Sequence, residues 1–126
     1  MECAFCKIYN QKLPAKIIYQ NNILSCFLPR NMEVYGHLLV IPNKHFENIF
    51  DIPEEELTHI IKFTKKISLH LKECLGATGI NILHASGKSA QQSVPHFHIH
   101  IFPRFDNDSL CLLYTSPSPR DRTRSR

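Results

Sequence analysis

The chain has 126 residues, 43% of them hydrophobic and 21% charged, with a formal net charge of +4. That length accommodates one domain with a single core. No apolar run approaches the roughly 20 residues a membrane span requires, and the opening MECAFCKIYN lacks the apolar centre of a signal peptide, which predicts a cytoplasmic protein with no membrane partner.

The first elements are two strands in AKIIYQNNILSCFL, around a turn at Asn21 and Asn22. Gly36 to Pro42, GHLLVIP, is a short and wholly apolar third strand closed by proline. A helix start follows. Asp51 is placed to cap free amides, Pro53 suits the first turn, and Glu54 to Glu56 oppose the positive end of the helix dipole. The helix is expected to run to about Leu75, burying Leu57, Ile60, Ile61, Thr64, Ile67, Leu71 and Leu75 on one face, with Gly76 as its stop. GINILHA reads as a fourth strand, SGKSAQQS as a polar loop and VPHFHIHIFP as a fifth strand, and there are no internal repeats. The sum is an α+β domain of antiparallel strands with one long helix across a face.

The final stretch, CLLYTSPSPRDRTRSR, has no hydrophobic period and is crowded with Ser, Pro and Arg. By composition it is a basic disordered tail. It also resembles the in-frame translation of a sequencing-library transposon adapter, so residues 111–126 are set aside as artefactual and the domain is assigned to residues 1–110. The tail's four arginines and one aspartate carry +3 of the total, leaving +1 for the rest. The overall basic balance therefore gives no reason to expect a nucleic-acid partner. The cysteines left are Cys3, Cys6, Cys26 and Cys74. Without an export signal they read as thiols or metal ligands rather than disulfides.

The most informative segment is HFHIHIFPR, residues 96–104. In a strand, alternate side chains share a face and stand roughly 7 Å apart. His96, His98 and His100 therefore share one face, and Phe97, Ile99 and Ile101 share the other, against the core. Three readings compete: a solvated face, a set of metal ligands, or a site using imidazole as a nucleophile. A hydrolytic metal site usually adds carboxylates, yet SGKSAQQSVPHFHIHIFPR contains no Asp or Glu. A nucleophile needs one unprotonated ring nitrogen aimed at a phosphorus centre, a carbonyl holding the opposite N–H, and donors for the pentacoordinate phosphate. Cys3 and Cys6, spaced C-A-F-C, read from the residues alone as a redox pair, half a zinc site or coincidence. The strand-then-helix setting of a thioredoxin-like dithiol is missing. Cys26 and Cys74 read as buried small apolar residues, and His59 and His70 as surface or packing residues.

QSVPHFHIHIFPR closely resembles the signature of the histidine triad (HIT) family, and CAFCKI, GHLLVIPNKHF and ATGINILHASG resemble family segments in the same order. The resemblance spans residues 2–108. It implies a HIT-like fold, an antiparallel five-stranded sheet with one long helix and one short helix, lacking the family's C-terminal segment. It implies nucleotidyl transfer or hydrolysis at an α-phosphate of a small-molecule nucleotide conjugate. His98 would be the nucleophile, His100 and His37 would lie beside the phosphate, and Ser93 would face the leaving group. Gln92, Val94, His84 and Arg30 would serve substrate binding. The zinc-binding branch implies a structural zinc on Cys3, Cys6, His45 and His96, with no metal required for catalysis. A homodimer through the long helix and fourth strand is also implied, weakened by the truncation. Two positions depart from the pattern: Pro29 stands where many members carry an acidic residue eight positions before His37, and the chain reads His84-Ala85-Ser86-Gly87 where many carry an Asn before the glycine loop. A non-catalytic nucleotide-binding or adaptor protein, and a metal-dependent hydrolase using the triad as ligands, are the alternatives.

Overall fold

A computed structural model of the chain describes residues 3–30, 32, 35–106 and 108. A short helix α1 (Ala4–Tyr9) precedes strands β1 (Lys16–Gln20), β2 (Leu24–Leu28) and β3 (Leu38–Pro42). The long helix α2 (Glu54–Leu75), β4 (Gly79–Leu83), a 3₁₀ turn (Lys88–Ala90) and β5 (Ile99–Arg104) follow. The five strands form one antiparallel sheet in the order β1-β2-β3-β5-β4. The adapter-like residues 111–126 lie outside the described residues.

Both faces of the sheet's centre are covered, and the sequence of β3 explains how. A wholly apolar strand fits burial on two sides. Leu38 and Val40 point into a core with Leu24, Cys26, Phe97, Ile99 and Ile101, closed by Ile60 and Leu71 of α2. Leu39 and Ile41 point the other way, into a second cluster with Cys3, Phe5 and Phe27 beneath α1. Sequence reading located the first cluster and not the second. The hairpin is fixed by a buried polar network: Gln20 donates to Ser25 Oγ at 2.7 Å, Ser25 donates to Asn43 Oδ1 at 2.6 Å, and Asn43 donates to the Asn21 carbonyl at 2.7 Å.

Four expectations are corrected. Asp51 caps amides, but those of Glu47 and Asn48 in the preceding loop, at 3.0 and 2.9 Å; α2 starts on Pro53 without a side-chain cap. Ile61 is 50% exposed, while Phe63 packs against the helix-side core instead and stacks on Tyr19 at 5.0 Å. Cys74 is exposed, whereas Cys26 is fully buried, and burial pushes its thiol up to about 12. The fifth strand begins at Ile99 rather than near Val94, because the Phe97 amide donates to the Phe46 carbonyl at 2.7 Å in a loop outside the sheet.

Gly36 joins the layers where β3 begins. Its φ of +86° is left-handed, and a Cβ there would stand 3.0 Å from Leu75 Cδ1 and 3.0 Å from Pro103 Cγ. Strain and overlap act together, so Gly36→Ala is expected to lower the stability of the domain by about 2–4 kcal/mol. Urea denaturation checks this; a midpoint unchanged from wild type would contradict the packing described.

Candidate active site and metal centre

The three triad histidines do not converge on one point. His96 donates from Nε2 to the Pro42 carbonyl at 2.9 Å. A carbonyl only accepts, so that nitrogen carries the proton and Nδ1 is a bare lone pair. His98 is oriented the other way: its Nδ1 donates to the His96 carbonyl at 2.8 Å, so the proton sits on Nδ1 and Nε2 is the bare nitrogen. No hydrogen bond reaches that Nε2 among the described residues. His100 Nδ1 lies 3.0 Å from His37 Nε2.

Local sequence explains these orientations. Residues 96–98 precede β5, yet their side chains continue its alternation: Phe97 joins Ile99 and Ile101 in the helix-side core, while His96 and His98 meet Phe5 of α1. There Phe5 meets both rings edge-on, at 5.8 and 5.1 Å between centroids. His98 is 4% exposed. Its ring lies not among Phe97 and Ile99 but between Phe5 and His100. Leu38 pairs with Ile101, which places His37 opposite Phe102, and the two rings stack at 4.2 Å.

The loop before the triad is tied down by Gln92, whose amide oxygen accepts from the Gly87 N–H at 2.8 Å. Its amide nitrogen donates to the carbonyls of Glu47 and Val94 at 2.7 and 2.9 Å. Val94 packs beside the α1-side cluster. Ser93 and Arg30 are exposed. His84 uses both ring nitrogens within the protein, Nδ1 to the His98 carbonyl at 2.8 Å and Nε2 to Ser86 Oγ at 2.5 Å. Sequence reading did not single out Phe5, Ser86 or the Pro42 and Phe46 carbonyls. Only Phe5 had a visible signal, as the aromatic residue set between the two cysteines.

Cys3, Cys6, His45 and His96 form a separate cluster whose ligand atoms all lie within 4.8 Å of one another. His96 Nδ1 stands 3.4 Å from Cys3 Sγ, 3.6 Å from Cys6 Sγ and 3.1 Å from His45 Nδ1, and Cys6 Sγ stands 3.3 Å from His45 Nδ1. Tetrahedral coordination with zinc–sulfur and zinc–nitrogen bonds of about 2.3 and 2.0 Å places nitrogens about 3.3 Å apart and sulfur about 3.5 Å from nitrogen. The donor set, the spacing and the outward proton of His96 all fit such an ion. Burial, reinforced by the adjacent Cys3, pushes the Cys6 thiol up to about 11; a cation between the sulfurs reverses that preference.

Burial also keeps the imidazoles neutral. It lowers His96, His37 and His100 to about 4, the last helped by the neighbouring His98, His37 and His84, and it lowers His98 against the opposing pull of the His96 carbonyl. For His37 and His100, folded values below the ordinary value near 6.5 mean that the unfolded chain binds protons the folded one refuses. Stability is then fully present above pH 6.5 and is lost as pH falls toward 4. Ring titration by NMR is expected to find His37 and His100 neutral at pH 5.5; protonation of either near 6.5 would contradict the buried arrangement.

Comparison with known proteins agrees with this geometry. The HIT domain family model matches residues 10–107. An uncharacterized HIT-like protein of Methanocaldococcus jannaschii is 43% identical over 84% of this chain and 81% of its own length. Adenosine 5'-monophosphoramidase of Saccharomyces cerevisiae is 33% identical over 85% of this chain and 65% of its own. The crystal structure of a zinc-bound histidine triad family protein from Mycobacterium smegmatis superposes with a TM-score of 0.84 at 34% identity, covering 89% of this chain and 81% of that one. A five-stranded antiparallel sheet, a histidine triad leading into its interior strand β5 and a match over most of the chain have one common reading: the protein belongs to the HIT domain family.

Proposed function

We propose that the protein is a nucleotidyl hydrolase or transferase that cleaves at the α-phosphate of a nucleotide conjugate, a nucleoside phosphoramidate or a dinucleoside polyphosphate. The observation that carries this reading is the His98 ring, with its proton on Nδ1 against the His96 carbonyl and a bare Nε2. A neutral imidazole is a competent nucleophile at pH 7. In the proposed reaction Nε2 bonds to the α-phosphorus while the bond to the leaving group breaks, and water then displaces the imidazole to release the nucleoside monophosphate. His100 and His37 lie beside the phosphate, and Ser93 hydrogen-bonds toward the leaving group. Gln92 orders the loop, and Val94 and Arg30 serve substrate binding.

Support comes from three sides. The triad nitrogens diverge, so the triad does not assemble into one set of metal ligands, which favours the nucleophile over a metal-dependent hydrolase. Membership of the HIT family and the monophosphoramidase activity in the name of the yeast relative fit phosphorus–nitrogen cleavage. Pro29 stands where an acidic residue would hold ribose hydroxyls, so in this reading recognition rests on the phosphate-side groups.

Zinc is the proposed occupant of Cys3, Cys6, His45 and His96, in keeping with the zinc-bound mycobacterial relative. Four protein ligands leave no position for a reactive water, so the ion is structural. It would fasten the N-terminus to the exit of β3 and to the strand that carries the nucleophile. A cytoplasmic homodimer completes the proposal. Ile61 and Leu69 on α2, with Ile82 and Leu83 on the open edge strand β4, leave apolar side chains exposed there. Among the described residues no helix is long and apolar enough to cross a membrane.

Two experiments test the reading. His98→Ala is expected to reduce turnover of adenosine 5'-phosphoramidate by about 1000-fold or more while the protein stays folded; retained turnover would refute the nucleophile. Elemental analysis is expected to find one zinc per chain, lost in Cys6→Ser together with about 10 °C or more of Tm. A Cys6→Ser protein with full metal content would refute the assigned ligand set.

A further inference from the structure

The hydrogen bonds around His98 end on a residue whose task lies beyond contact with substrate. The ladder between β4 and β5 runs from Gly79 opposite Arg104 to Leu83 opposite His100, and stops there. The next acceptor along, the His98 carbonyl, is met by a side chain: His84 Nδ1 donates to it at 2.8 Å. The His84 tautomer follows. With its proton on Nδ1, Nε2 accepts from the Ser86 hydroxyl at 2.5 Å, and Ser86 Oγ in turn accepts the Ile49 amide at 2.9 Å. The His84 ring also lies against Phe97 at 4.5 Å.

Upstream of His98, the 96–97 peptide is already held at both ends. Its N–H donates to Phe46, and its carbonyl accepts the His98 ring proton. Downstream, the 98–99 peptide has the His84 bond on its carbonyl. Without it that peptide is held only on its Ile99 side, where Ile99 pairs with Val40 of β3, and the backbone that carries the ring gains room to tilt. We propose that His84 is a positioning residue for His98: it extends the β4–β5 ladder by one bond and, through Ser86, ties the aim of the His98 ring to the Ile49 amide. This rests on the reading of His98 as the nucleophile.

A bond that fixes aim rather than contacts the substrate acts on kcat. Its loss misplaces the attacking nitrogen while leaving the binding groups intact. His84→Ala is expected to lower kcat for adenosine 5'-phosphoramidate by about ten- to hundredfold with KM within about twofold of wild type. His84→Asn places an amide nitrogen near where imidazole Nδ1 stands. It can donate to the His98 carbonyl and should recover kcat to within about threefold of wild type. Ser86→Ala, which removes only the outer link, is expected to be milder than His84→Ala. The proposal is overturned if His84→Ala leaves kcat unchanged, if it raises KM alone, or if His84→Asn is as impaired as His84→Ala. His98→Ala run beside them separates the two claims. If it abolishes turnover while His84→Ala is silent, the nucleophile stands and the positioning role falls. If it retains turnover, both fall.

Discussion

The hydrogen bond from His98 Nδ1 to the His96 carbonyl sets the chemistry of this protein. An imidazole has one proton to place when neutral, and the carbonyl claims it for the nitrogen facing the backbone. The opposite nitrogen is then a lone pair by necessity. Phe5 on one side and burial on the other hold the ring neutral without any acidic partner. The same logic, run in reverse, governs His96: the Pro42 carbonyl takes the proton on Nε2, and the lone pair on Nδ1 turns toward two thiols and a second imidazole. Two histidines two residues apart are thus given opposite tautomers by two backbone carbonyls, and with them different tasks.

Those carbonyls stand where they do because the sheet's centre is covered on both sides. Alternate residues of β2 and β3 feed two clusters, one under α2 and one under α1, and β5 adds Ile99 and Ile101 to the first. Phe97, Ile99 and Ile101 commit the segment to one registration, since a slip of one residue would drive the histidines into the α2 core. Burying the triad on the α1 side of the sheet gives the imidazoles a low-dielectric setting. That setting lowers His37 and His100 to about 4 and leaves them as neutral hydrogen-bonding groups at ordinary pH.

Much of this was legible in the amino-acid sequence, for identifiable reasons. The period-two pattern of residues 96–101 declared its two faces, and the helix was marked by its acidic first turn and by Gly76, which does close it in the left-handed conformation. What was hidden depends on long-range partners. The carbonyls of Pro42 and Phe46 carry no side-chain signal. Asp51 has the chemistry of a cap in either direction, and the loop amides of Glu47 and Asn48 won it. Ile61 fits the helical period but falls on the side of α2 that faces away from the sheet core, while Phe63 reaches Tyr19 of β1. The family resemblance supplied the grouping of Cys3 and Cys6 with His45 and His96, which spacing alone left open; folding does bring those four together.

The central claim is that a nitrogen of His98 takes up the nucleotide. Acid-free quenching of the protein during turnover of adenosine 5'-phosphoramidate, followed by proteolysis and mass mapping, tests it most directly. A nucleoside monophosphate on the peptide bearing His98, absent from His98→Ala, is the predicted result. Adduct on any other side chain, or turnover that proceeds at full rate with His98 shown to stay unmodified, would contradict it.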